Sequence, residues 1–141
     1  MNQSDGYGSD RDVTMALILA ARRVEDRIER ALEEHGLSLA KLNVLTILVE
    51  SGKPLSLGEV AGRLNCVRSN VTQLVDRLEA DGLVRRQPDA EDRRSISAVV
   101  TASGRDRQVA GSVALAAVQG EISQTLAGFD TGHIDHALRS L

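Results

Sequence analysis

The residues best equipped for chemistry in this chain are suited to hydrogen-bonding rather than to breaking bonds. From residue 68 to residue 77 the sequence reads RSNVTQLVDR. If Val71, Leu74 and Leu78 form one buried stripe, a helix at about 100° per residue turns Ser69, Asn70, Gln73, Asp76 and Arg77 outward. Thr72 lies on the flank, and Arg68 opens the segment. Asn and Gln can pair bidentately with adenine, Ser and Thr can reach a base edge or a phosphate, and Arg prefers guanine or phosphate. A helix N-terminus also attracts phosphate through its free amides. Taken alone, the segment fits an ordinary solvated helix face equally well, because polar outward faces are the rule.

A second group follows closely. Arg85, Arg86, Arg93 and Arg94 stand at the base and tip of a short hairpin, with Asp89, Glu91 and Asp92 among them. Arginines on a projecting loop can enter a narrow minor groove, where the negative potential is strongest. A neighbouring acid can fix the direction of such an arginine by a charge-assisted hydrogen bond. A solvated mixed-charge turn is the plain alternative. A polar helix followed by an arginine hairpin is harder to obtain by accident than either part alone.

These groups need a scaffold, and the hydrophobic pattern supplies one. Val13, Leu17, Ala20, Val24, Ile28 and Ala31 recur at helical spacing, which predicts a long helix from about Asp12 to His35. Asp10 or Asp12 would cap it, and Gly36 would stop it. Residues 1–11 are polar and Gly-rich and read as a flexible tail. A second helix is predicted from Ser38 to about Glu50, broken by Ser51-Gly52-Lys53-Pro54. Ser56 and Glu59 form a capping box for a short third helix ending near Leu64-Asn65. The fourth runs from about Arg68 to Asp81 and stops at Gly82. Leu83-Val84-Arg85-Arg86 and Ile96–Val100 flank the turn-rich stretch around Pro88 as two strands of a hairpin. Thr101 caps a fifth helix bearing Val109, Val113, Ala116, Ile122 and Leu126. A last short helix starts at Asp130 or Thr131 and aligns Ile134, Leu138 and Leu141.

The bulk numbers agree with one globular domain. The chain has 141 residues, 42% hydrophobic and 26% charged, enough to bury a core without disulfide or metal. Its only aromatic residues are Tyr7 and Phe129, so the core is built from aliphatic side chains. Cys66 is the only cysteine, which excludes an intrachain disulfide and fits a reducing, cytoplasmic compartment. The apolar run from Val13 to Ala21 follows acids instead of the basic residues a secretion signal needs, and it is too short to span a bilayer. The formal net charge is −3, but a nucleic acid responds to the local field where it docks. No nucleophile elbow, phosphate loop or paired metal motif is present, so no enzyme is expected.

The segments LGEVAGRLNCVRSNVTQLVDRLEADGLVRR (57–86) and PDAEDRRSISAVVTASG (88–104) are similar to the MarR (multiple antibiotic resistance regulator) family, and the resemblance runs from about Asp12 to Leu141. The family's wing pattern is Asp-x-Arg, five residues, then Leu-Thr; here it reads Asp92-Arg93-Arg94, then Val100-Thr101. The implied fold is mainly α: a winged helix-turn-helix with a β-hairpin wing and long N- and C-terminal dimerisation helices. That division gives 37–101 to the reading part and 12–36 with 102–141 to the dimerisation helices. The resemblance implies double-stranded DNA as partner, a homodimer on a palindromic operator, Arg94 in the minor groove and Asp92 positioning the wing. It also implies a repressor released by a small-molecule effector, for which no pocket can be named from the residues. Three positions depart from the pattern. Val67 replaces the usual polar cap before the fourth helix, with Ser69 as a substitute cap; Gln73 replaces a common arginine; Asn65 replaces a frequent glycine.

The DNA candidates are therefore Arg68, Ser69, Asn70, Thr72, Gln73, Arg77, Arg85, Arg86, Asp92, Arg93 and Arg94. No cofactor, metal or membrane is expected. Cys66 reads as a small hydrophobe more readily than as a redox sensor. His133 and His136 share one turn but lack the further ligands that tetrahedral zinc needs. The competing reading is a winged helix that binds protein and no DNA.

Overall fold

The computed structural model describes the backbone of residues 6–141 and side chains from residue 12 onward. Six α-helices and a three-stranded antiparallel sheet follow in the order α1 (Gly6–Glu33), α2 (Leu39–Ser51), β1 (Leu55–Ser56), α3 (Leu57–Leu64), α4 (Arg68–Ala80), β2 (Val84–Pro88), β3 (Ile96–Val100), α5 (Ala102–Thr125) and α6 (Thr131–Leu138). The winged helix-turn-helix is thus present. Helix α1 starts six residues before the expected Asp12, so Asp10 and Asp12 stand within its span and not at its start. No proline stands in this stretch, and extending a helix costs far less than nucleating one. Residues 1–5 of the expected tail lie outside the described residues.

The other boundaries follow from local chemistry. Ser38 accepts a hydrogen bond from the Lys41 amide and begins α2. Ser56 and Glu59 close the capping box of α3, with the Glu59 amide 3.1 Å from Ser56 Oγ and the Ser56 amide 2.8 Å from Glu59 Oε2. Those two bonds, the Ser56 amide first, hold the Glu59 carboxyl below its ordinary pKa. Helix α4 ends where Gly82 takes a left-handed φ of 73°. The Leu83 amide then returns to the Leu78 carbonyl at 2.9 Å and the Gly82 amide to Glu79 at 2.9 Å. That is the reverse-turn ending for which glycine is favoured, and it places buried Leu83 beside buried Leu78. Asn65 ends α3 in the same way at φ 51°, a conformation that Asn tolerates better than other side chains.

The two-residue strand β1, absent from the sequence reading, pairs Leu55 with Ala98 and completes the sheet in the order β1-β3-β2. Two residues are too few to display an alternating pattern. Strand β2 pairs antiparallel with β3, with Val84 opposite Val100 and Arg86 opposite Ala98. As the edge strand it accommodates Pro88. Leu42, Leu45, Leu48, Leu55, Val71, Val75, Leu78, Leu83 and Ala98 fill one aliphatic core. That core belongs almost wholly to the winged-helix part. Residues 12–26 of α1 and all of α6 are exposed.

Candidate nucleic-acid interface

Helix α4 sets out the first half of the candidate surface. Val71, Val75 and Leu78 are fully buried and Leu74 is half-buried, so the helix is locked in rotation. Ser69, Asn70, Gln73, Asp76 and Arg77 are exposed on the opposite side, as the helical wheel requires. Thr72 is partly buried, and its hydroxyl donates to the Arg68 carbonyl at 3.0 Å. The helix has no side-chain cap: Val67 occupies the cap position, and Ser69 does not substitute for it. The Asn70 and Val71 amides instead turn back to the Val67 carbonyl. Cys66, just before it, is half-buried against the core.

The wing supplies the second half, and its loop is shaped by two acids. Asp89 accepts from the Glu91 amide at 2.9 Å and from the Ser97 hydroxyl at 3.1 Å. The Glu91 amide, ahead of the Ser97 hydroxyl, keeps the Asp89 carboxyl below its usual pKa against the opposing effect of burial. Asp92 accepts from the Arg94 amide at 3.0 Å. It therefore shapes the turn through backbone, whereas the sequence suggested a bond to the guanidinium. The Arg93 and Arg94 side chains are left exposed at the tip.

Arg86 behaves differently from its neighbours. Its register opposite buried Ala98 points it inward, towards α4. Its guanidinium pairs with Asp76 and Glu79 and donates to the Thr72 carbonyl at 3.4 Å, while its amide donates to Glu79 Oε2 at 2.8 Å. Arg86 thus ties the wing to α4 and shares its single charge between the two acids on that helix. Among the described residues Arg68, Arg77, Arg85, Arg93 and Arg94 have no carboxylate within ion-pairing reach. The two elements joined by Arg86 therefore carry five arginines outside any ion pair, with exposed Glu91 and Asp92 likewise unpaired beside those of the wing tip.

Sequence reasoning gave Glu79 no role and counted Asp89 only among the acids that could orient an arginine, whereas it shapes the wing loop through the Glu91 amide and the Ser97 hydroxyl. The only signal for Glu79 was an acid seven positions before Arg86 across a tight turn, too general to read in advance. Among the described residues no group of three His, Cys, Asp or Glu side chains could hold a metal ion, and no helix is long and apolar enough to cross a membrane. Large apolar side chains remain uncovered outside the core: Val13, Leu17 and Val24 on α1, Val109 and Val113 on α5, Ile134 and Leu138 on α6.

Comparison with known proteins bears on this arrangement. The model of the MarR family matches residues 37–96. The HTH-type regulator YkoM of Bacillus subtilis is 34% identical over 87 residues, covering 62% of this chain and 56% of YkoM. The transcriptional activatory protein BadR of Rhodopseudomonas palustris is 36% identical over 117 residues, covering 79% of this chain and 64% of BadR. The chain thus spans less than two thirds of the length of these relatives. The crystal structure of the regulator MosR of M. tuberculosis in complex with DNA shares the fold, with a TM-score of 0.72, 24% identity and 90% of each chain covered.

Proposed function

The chain belongs to the MarR family, and on that premise we propose that it is a sequence-specific DNA-binding transcriptional regulator acting in the cytoplasm as a homodimer. The observation that carries this reading is the pairing of α4's polar outward face with a wing of unpaired arginines, joined by Arg86. On this reading Ser69, Asn70, Gln73 and Arg77 face the major groove, with Arg68 and Thr72 beside the phosphates. Arg94 enters the flanking minor groove from a turn held by Asp92, and Arg85 and Arg93 meet phosphates. Arg86 works as a brace, since its guanidinium is already engaged.

The exposed apolar faces of α1, α5 and α6 support a two-fold partner, because a monomer would leave them in water. A symmetric dimer presents its reading helices about one turn of duplex apart and so calls for a palindromic site. Control follows by occlusion of a promoter, which is repression. An effector would act by preferring a dimer whose helices are wrongly spaced.

The test is fluorescence anisotropy on the duplex upstream of the protein's own gene, against a scrambled duplex, at two salt concentrations. Specific binding should weaken by roughly 10³-fold between 50 and 200 mM salt if about six phosphates are neutralised. Arg94→Ala should lose affinity while sedimentation still reports a dimer. A monomer, or indifference to every duplex at low salt, would defeat the proposal in favour of a protein-binding module.

A further inference from the structure

We propose that Val67 is a specificity residue that reads the C5-methyl group of a thymine in each half-site; this rests on the DNA-binding reading above. Val67 occupies the cap position of α4 with φ −72° and ψ 142°, and its side chain forms no cap. Ser, Thr, Asn or Asp at this position would satisfy a free amide and stabilise the helix, whereas Val is among the poorest choices. Core packing does not explain the residue either, because its side chain is 63% exposed while the core-facing Val71 and Val75 of the same helix are fully buried. An apolar, β-branched group thus stands in water at the leading tip of the helix, beside exposed Ser69 and Asn70.

The N-terminal residues of a recognition helix are those that approach base edges in the major groove. Base edges there present donors and acceptors, with one apolar feature: the thymine methyl. Van der Waals contact with that methyl removes exposed apolar surface on both partners, and no hydrogen bond is lost because Val67 has none to give. Polar neighbours Asn70 and Gln73 remain free to take adjacent adenines. The substrate class is therefore a duplex with a thymine, or another C5-methyl pyrimidine, at one symmetric position opposite the start of α4.

The experiment selects a duplex from a randomised pool with the full chain, then replaces its thymines singly by uracil, which removes the methyl and leaves base pairing unchanged. Wild type should lose about fourfold at one thymine per half-site, the equivalent of one buried methyl group, and roughly fifteenfold when both half-sites are changed. Val67→Ser supplies a good cap, so it should melt no lower than wild type and bind with no uracil sensitivity at that position. 5-Methylcytosine paired with guanine there should be preferred over cytosine by wild type alone. A flat uracil scan, or equal sensitivity in Val67→Ser, overturns the proposal while leaving DNA binding intact. Failure to select any duplex instead removes the DNA-binding reading itself, and this proposal with it.

Discussion

Replacing Arg86 by Met keeps most of the side chain's length and removes its charge. The wild-type guanidinium sits against Asp76 and Glu79, and its side chain is 23% exposed while theirs are 55% and 40% exposed. Half-solvated pairs of this kind contribute about 0.2–1 kcal/mol each. The bond to the Thr72 carbonyl is long at 3.4 Å and lies at the weak end of the range for neutral acceptors. The sum is about 1–2 kcal/mol, which for a chain of this size lowers Tm by roughly 3–8 °C at fixed protein concentration. The effect on duplex binding should be larger than the stability loss suggests. The substitution uncovers two carboxylates on the helix proposed to face phosphates and removes the side-chain ties between β2 and α4, leaving the residue-86 amide bond to Glu79 in place. We expect operator affinity to fall by about tenfold or more at low salt, with the loss shrinking as salt rises. Adding Asp76→Asn and Glu79→Gln should recover part of that affinity without restoring Tm. Calorimetry and anisotropy on the same preparations read both quantities. An Arg86→Met protein that melts within about 1 °C of wild type and binds within about twofold would refute the brace.

Gly104→Ala should be severe, because a Cβ there would lie 2.0 Å from the Leu83 carbonyl oxygen and 2.8 Å from Val100 Cγ2. That carbonyl is already held by the Thr101 amide, so we expect a loss of about 3 kcal/mol and a Tm lower by roughly 10 °C; a fall of less than about 2 °C in a thermal scan would contradict the packing argument. Glu59 and Asp89 both have lowered folded-state pKa values. Their contribution to stability is therefore complete above the ordinary carboxylate range and is lost as pH falls through and below it. Melting curves of wild type and Glu59→Gln should differ at neutral pH and converge as pH falls below the ordinary carboxylate range; a gap that stays constant would show that the capping charge is not involved.

The parts that were legible in the sequence are those governed by one helix face or one turn. The stripe of Val71, Leu74 and Leu78 predicted which residues of α4 point outward, and the burial of this stripe agrees. Ser56 with Glu59, Thr101 and Gly82 marked element ends, since a cap or a left-handed residue acts within four positions. What stayed hidden was set by tertiary contacts. Strand β1 exists because β3 offers a pairing edge to Leu55 and Ser56. The inward turn of Arg86 depends on its register opposite Ala98, and a one-residue slip would have put Arg85 there instead. Helix α1 exceeded its expected start because no residue between Gly6 and Asp12 stops a helix that is already nucleated.

On the proposed function, further contacts bear on how the outer helices would act on α4 and the wing. Thr101 begins α5, and it also donates through its hydroxyl to the Gly82 carbonyl at 2.7 Å and through its amide to the Leu83 carbonyl at 3.1 Å. Lys41 of α2 pairs with Asp81 at 2.9 Å at the same end of α4. Arg107 of α5 reaches the His35 carbonyl at the end of α1 at 2.7 Å. The C-terminal end of α4 is thus pinned to α2 and α5, and Arg86 carries β2 with it. With these ties intact, a shift of α5 against α1 should move helix and wing together, since packed interfaces change in discrete steps rather than by bending. An effector that weakens DNA binding should therefore alter the spacing of two intact reading units. Amide exchange in α4 and β2 should be equally slow with and without such an effector, while distances between the two Gln73 positions, measured by spin labels, should change. Accelerated exchange confined to the wing would show instead that control works by local unfolding.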